Sequence, residues 1–197
     1  MSLRFSPTAW AKLLFVRDLG PTEIGGFGIT DLDDPLLVLD FVMPRQSCTP
    51  VSVDFDESAI ADYVDEQVDL GRSPAESLRI WIHTHPGECP HPSMTDEETF
   101  DRVFGEADWS VMFILAQGGA TYGRLQCRVG PYVRQRLRPE VDYSQEFDGS
   151  DHDAWAVEYD ANVEVIDPFA DHRSGLLLDR RGYMDVERCA ASEWAAS

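Results

Sequence analysis

Leu78-Arg-Ile-Trp-Ile-His-Thr-His85 reads as a β-strand, and the two residues that end it decide what the fold must do. Side chains alternate along a strand, so His83 and His85 point to one face and Thr84 to the other. Two imidazoles on one face at a strand end can grip a single ion without splaying. Pro86 and Gly87 break the strand immediately beyond.

Upstream, Pro7 to Val16 carries Trp10, Leu13 and Leu14 at helical spacing. Glu23 to Thr30 (EIGGFGIT) reads as a strand opened by glycines, Leu36 to Met43 as a buried strand, and Pro50 to Phe55 as a further strand. Asp56 or Ser58 caps a helix that runs to about Leu70, where Gly71 ends it. Downstream, Thr95 to Phe104 is a helix that a Thr95/Glu98 capping box would open. Trp109 to Ala116 and Thr121 to Val129 form a hairpin, and Val133 to Val141 adds a final strand. Phe100, Phe104 and Trp109 have the spacing of core residues. A helix is expected over 153–166, ending at Pro168, with Leu176 to Leu178 packing and a loose end after it. Strands and helices alternate without strict βαβ order, which predicts an α/β chain with a mixed sheet flanked by helices.

Composition narrows the function. The 197 residues suit one domain, and 43% apolar content is ordinary for a folded chain. Thirty-six acidic against 16 basic residues give a formal charge of −20, which repels nucleic acid and anionic membranes. No stretch reaches the length of a membrane span, and Lys12, Arg17 and Asp18 interrupt any apolar leader. Cys48, Cys89, Cys127 and Cys189 are scattered, without a CxxC pair. A cytoplasmic protein with reduced thiols is the expectation.

Asp96 follows His85 by eleven residues, across a loop stiffened by Pro86, Pro90 and Pro92. Two His and one Asp leave a tetrahedral ion with one open position, the pattern of a catalytic zinc site. Zinc brings the pKa of bound water to about 7. Such chemistry also needs a carboxylate outside the ligand set to carry the proton. Ser93 either caps the next helix or donates to an oxyanion, and the two roles can coexist. Cys89 and His91, in the same loop, read first as solvent-facing loop residues, with occupation of the open position as the alternative. His152 and His172 have no partners in register. The zinc-deaminase and HExxH patterns are absent from the sequence.

His83-Thr-His85-Pro86, six residues, then Ser93-Met-Thr-Asp96 resembles the HxHP-x6-SxxD pattern of the JAMM, or MPN-plus, metalloproteases. Glu23-Ile-Gly-Gly-Phe-Gly is similar to that family's upstream Glu on a Gly-rich strand. The resemblance covers Trp10 to about Val141. It implies a single MPN-like domain over residues 1–143, a three-layer αβα arrangement, with a C-terminal helical extension over 144–197. It also implies one Zn2+ held by His83, His85 and Asp96, with Glu23 as general acid/base and Ser93 as oxyanion donor. The implied reaction is hydrolysis of the peptide or isopeptide bond after the glycine tail of a ubiquitin-like protein. Such a protein or its conjugates would be the partner, with Gly25 to Gly28 and Ser58 to Leu70 walling the groove. The short hairpin at Gln117 to Thr121 leaves no room for a segment that reads chain linkage. A sulfur-carrier, cell-wall or phage-tail peptide is the alternative substrate, and a metal-free scaffold the alternative to an enzyme.

Overall fold

The structure, a computed structural model, describes residues 1–167. The chain runs through β1 (Ser2–Phe5), α1 (Pro7–Arg17), β2 (Gly25–Thr30), β3 (Leu37–Val42), β4 (Gln46–Thr49) and β5 (Ser52–Phe55). There follow α2 (Glu57–Asp69), a short α3 (Pro74–Ser77), β6 (Ile80–His85) and α4 (Met94–Phe104). The described chain ends with β7 (Trp109–Ala116), β8 (Thr121–Cys127), β9 (Val133–Arg136), β10 (Arg138–Val141), α5 (His152–Asn162) and β11 (Val163–Val165).

Eight strands make one mixed sheet in the order β10-β1-β3-β2-β6-β7-β8-β9. β6 lies near its middle, antiparallel to β2 and parallel to β7. The sheet is not flat. Phe5 on β1 and Phe113 on β7 are four strands apart, about 19 Å in a flat sheet, yet their ring centroids meet at 5.0 Å. The two ends of the sheet are served by one continuous segment. β9 pairs with β8, β10 pairs with β1, and Leu137 between them donates its N–H to the Gly123 carbonyl at 2.9 Å.

This nearly closed, barrel-like sheet corrects the three-layer αβα expectation. Val133 to Val141, read as one final strand, bends at Leu137 and bridges both ends, and β1 was not anticipated at all. Inside the curl, Leu3, Phe5, Val38, Ile80, Ile82, Val111 and Phe113 form a cluster that Leu13 and Val16 of α1 and Trp155 and Tyr159 of α5 complete. On the outer face, Trp81, Met112 and Ile114 pack with Tyr63 of α2 and with Phe100 and Phe104 of α4. Strand alternation explains the division: Ile80 and Ile82 go inward, Trp81 and the two histidines outward. Trp109 packs against the inner cluster instead.

A second, three-stranded sheet has the order β11-β4-β5. The helix expected to reach Ile166 stops at Asn162, because Val163 to Val165 pair in parallel with Gln46 to Cys48. β-branched residues facing an unpaired edge favour the strand. Pro168, His172, Leu176 to Leu178 and Cys189 lie outside the described residues. Among the described residues no helix is long and apolar enough to cross a membrane.

Candidate metal centre

β6 brings His83 and His85 to the outer face below α4, where His83 is fully buried and stacks on Trp81 at 4.3 Å. His85 is oriented through its other nitrogen, with Nδ1 2.8 Å from the Cys89 carbonyl. A carbonyl only accepts, so Nδ1 carries a proton, and in the neutral ring Nε2 presents its lone pair. Nε2 of His85 and both ring nitrogens of His83 are buried without a hydrogen-bond partner. Leaving buried polar atoms unmatched is costly, and a cation would satisfy one nitrogen of each ring.

Asp96 enters from the first turn of α4. The helix begins at Met94, one residue before the expected start, and its capping box is Ser93/Asp96 rather than Thr95/Glu98. Asp96 therefore projects back across the N-terminus, with Oδ1 3.3 Å from His83 Nε2 and Oδ2 3.5 Å from His85 Nε2. Zinc–ligand bonds of about 2.0–2.1 Å at tetrahedral angles separate ligand atoms by about 3.3–3.4 Å, close to these two His–Asp distances, each of which runs to a different carboxylate oxygen. The three residues form a group whose ligand atoms all lie within 4.8 Å of one another, and they could hold a metal ion. Neither Cys89 nor His91 belongs to it. The His91 ring is set edge-on to Tyr122 at 5.9 Å.

Charge at the site follows from these contacts. Burial lowers the His83 pKa, outweighing the facing Asp96 carboxylate, so its imidazole is neutral. Burial acts in the same direction on His85, but Asp96, Glu23 and the Cys89 carbonyl together overcome it and raise the pKa. For Asp96, burial opposes ionisation, yet the two imidazoles and the Ser93 N–H hold the carboxyl well below the usual range.

Glu23 is 6% exposed, and its Oε1 lies 3.6 Å from His85 Nε2. Its place is fixed by backbone. Glu23 N–H donates to the Thr49 carbonyl at 3.0 Å, and Ile24 exchanges hydrogen bonds with Thr84, the residue between the two histidines. Gln46, which sequence reasoning missed, clamps the next residue. Its Oε1 accepts from Gly25 N–H and its Nε2 donates to the Gly25 carbonyl, both at 2.7 Å. The Cys48 thiol nearby is pushed up to about 12 by burial and by Glu23. Gly25 to Gly28 is buried between β3 and β6 and so does not wall a groove. A Cβ on Gly26 would stand 2.2 Å from the Val42 carbonyl oxygen.

Arg124 on β8, also missed, steadies α4. Its guanidinium makes a two-pronged contact with Glu97 at 2.5 and 2.8 Å and lies over Phe100. Glu97 directly follows Asp96, so this bond ties the turn that carries Asp96 to β8. Ser93 is placed as helix cap, with its hydroxyl directed to Asp96 at 2.9 Å. No family model matches the chain, and no curated protein matches it.

Proposed function

We propose that this chain is a zinc-dependent peptidase of the JAMM type, hydrolysing the peptide or isopeptide bond that follows the glycine tail of a ubiquitin-like protein. What supports the reading is one observation. The buried nitrogens of His83 and His85 converge with Asp96 while a second carboxylate, Glu23, stands beside them outside the ligand group.

A zinc ion bound there would supply Lewis acidity and a water acidic enough to attack an amide. The other tasks fall to the chain. His83 and His85 hold the ion with neutral nitrogens, the second oriented by the Cys89 carbonyl. Asp96 adds negative charge while Ser93 keeps its carboxylate from rotating. Glu23 takes the proton of the attacking water and returns it to the leaving amine. Hydrolysis needs no other cofactor. The substrate's identity comes from the motif resemblance, His83-Thr-His85-Pro86 to Ser93-Met-Thr-Asp96 with Glu23 upstream.

The test is a ubiquitin-like protein fused through its glycine tail to a reporter. Cleavage should require zinc, stop with a chelator, and stop in Glu23→Gln with zinc still bound. Cleavage that persists in Glu23→Gln, or none by the zinc-loaded chain, would refute the assignment.

A further inference from the structure

We infer that Arg136, held against Tyr122, forms a subsite for a carboxylate side chain on the substrate, beside the metal centre. The inference rests on the peptidase reading and adds a specificity determinant to it.

Strand register carries the placement. His83 pairs with Ile114 on β7, and Ile114 pairs with Tyr122 on β8. Residues directly opposite one another share a face. Tyr122 therefore stands on the same face as His83, two strand spacings or about 10 Å away. The His91 ring, from the loop between the metal ligands, meets its edge. Arg136 reaches over the ring from exposed β9, its Cζ 3.9 Å from the centroid.

The neighbouring arginines are already matched. Arg124 meets Glu97 at 2.5 Å, Arg134 meets Asp101 at 3.5 Å, and Arg128 meets Glu106 at 3.8 Å. Arg136 has no carboxylate partner among the described residues, in a chain with 36 acids against 16 bases. Contact with the aromatic face restrains the guanidinium while its N–H edges stay open to a two-pronged contact. A carboxylate fits that fork. The net charge of −20 repels acidic chains at a distance, so the effect is on docked specificity rather than on encounter. About 10 Å corresponds to about three extended residues, so the matching Glu or Asp lies within that reach of the cleaved bond.

Labelled peptides built around Gly-Gly, with one Glu moved through the three positions on either side, test this against their Gln counterparts. Binding to zinc-loaded Glu23→Gln protein is read by fluorescence polarisation. At one position Glu should bind about fivefold more tightly than Gln at low salt, and less so as salt is added. That advantage should vanish in Arg136→Gln and survive in Arg134→Gln. Equal binding at every position, a preference that survives Arg136→Gln, or no binding of either peptide would overturn the subsite. A preference that depends on Arg136, in peptides the unsubstituted chain fails to cut, would support the subsite and count against the peptidase reading alone.

Discussion

Ser93 and Asp96 hold each other in a closed pair of hydrogen bonds. The Ser93 N–H and hydroxyl both donate to Asp96 Oδ2, at 2.7 and 2.9 Å, and Asp96 N–H returns a bond to the Ser93 hydroxyl at 3.2 Å. A helix cap is thus also the device that aims the carboxylate of a group that could hold a metal ion.

Ser93→Ala should therefore weaken zinc binding by about 10–100-fold, the usual cost of removing a partner that orients a ligand. It should also cost about 1 kcal/mol of stability through loss of the cap. Competition with a coloured chelator and urea unfolding measure the two effects. Unchanged zinc affinity with a large fall in kcat would instead assign Ser93 to the oxyanion alone.

Zinc binding should strengthen from pH 6 to pH 8. His85 has a raised pKa in the folded, metal-free protein, so its proton is retained above the ordinary imidazole value of about 6.5. That protonated form stabilises the metal-free fold below pH 6.5, and the contribution is lost as pH rises through the folded value. Zinc must displace this proton. Each pH unit below the folded value should cost about tenfold in affinity. The rise in Tm on adding zinc should accordingly be larger at pH 8; an equal rise at both pH values contradicts the protonation assigned to His85.

Gln46→Leu should destabilise the chain by about 2–4 kcal/mol, because it leaves the Gly25 N–H and carbonyl without their buried partner. Gly25 adjoins Glu23 through Ile24, so catalysis should fall beyond what the unfolded fraction explains. Urea denaturation and kcat on the folded fraction separate the two.

Much of the site could be read from sequence because its parts are local. His83, His85, Ser93 and Asp96 lie within fourteen positions, where strand alternation and a helix cap suffice to bring them together. Glu23 is sixty positions from His83 and was reached only through the resemblance; what joins them is the β2–β6 pairing, in which Gly25 faces His83. Gln46 was hidden because β4 is four residues of mostly polar sequence with no periodic signal. Arg136 was hidden for a different reason, since its role depends on which strand lies beside β8. The curl of the sheet was the largest miss. It depends on the bend at Leu137 and on contact between Phe5 and Phe113, which are far apart in sequence and leave no mark in any local pattern.

The decisive measurement is zinc content and coordination of the purified chain and its ligand variants. One ion per chain should bind, with absorption-edge spectra showing two imidazole nitrogens at about 2.0–2.1 Å and a carboxylate oxygen. His83→Ala, His85→Ala and Asp96→Ala should each lose it, and Glu23→Gln should keep it. Stoichiometric zinc retained in His83→Ala or Asp96→Ala, or none in the unsubstituted chain, would show that these side chains do not form the centre.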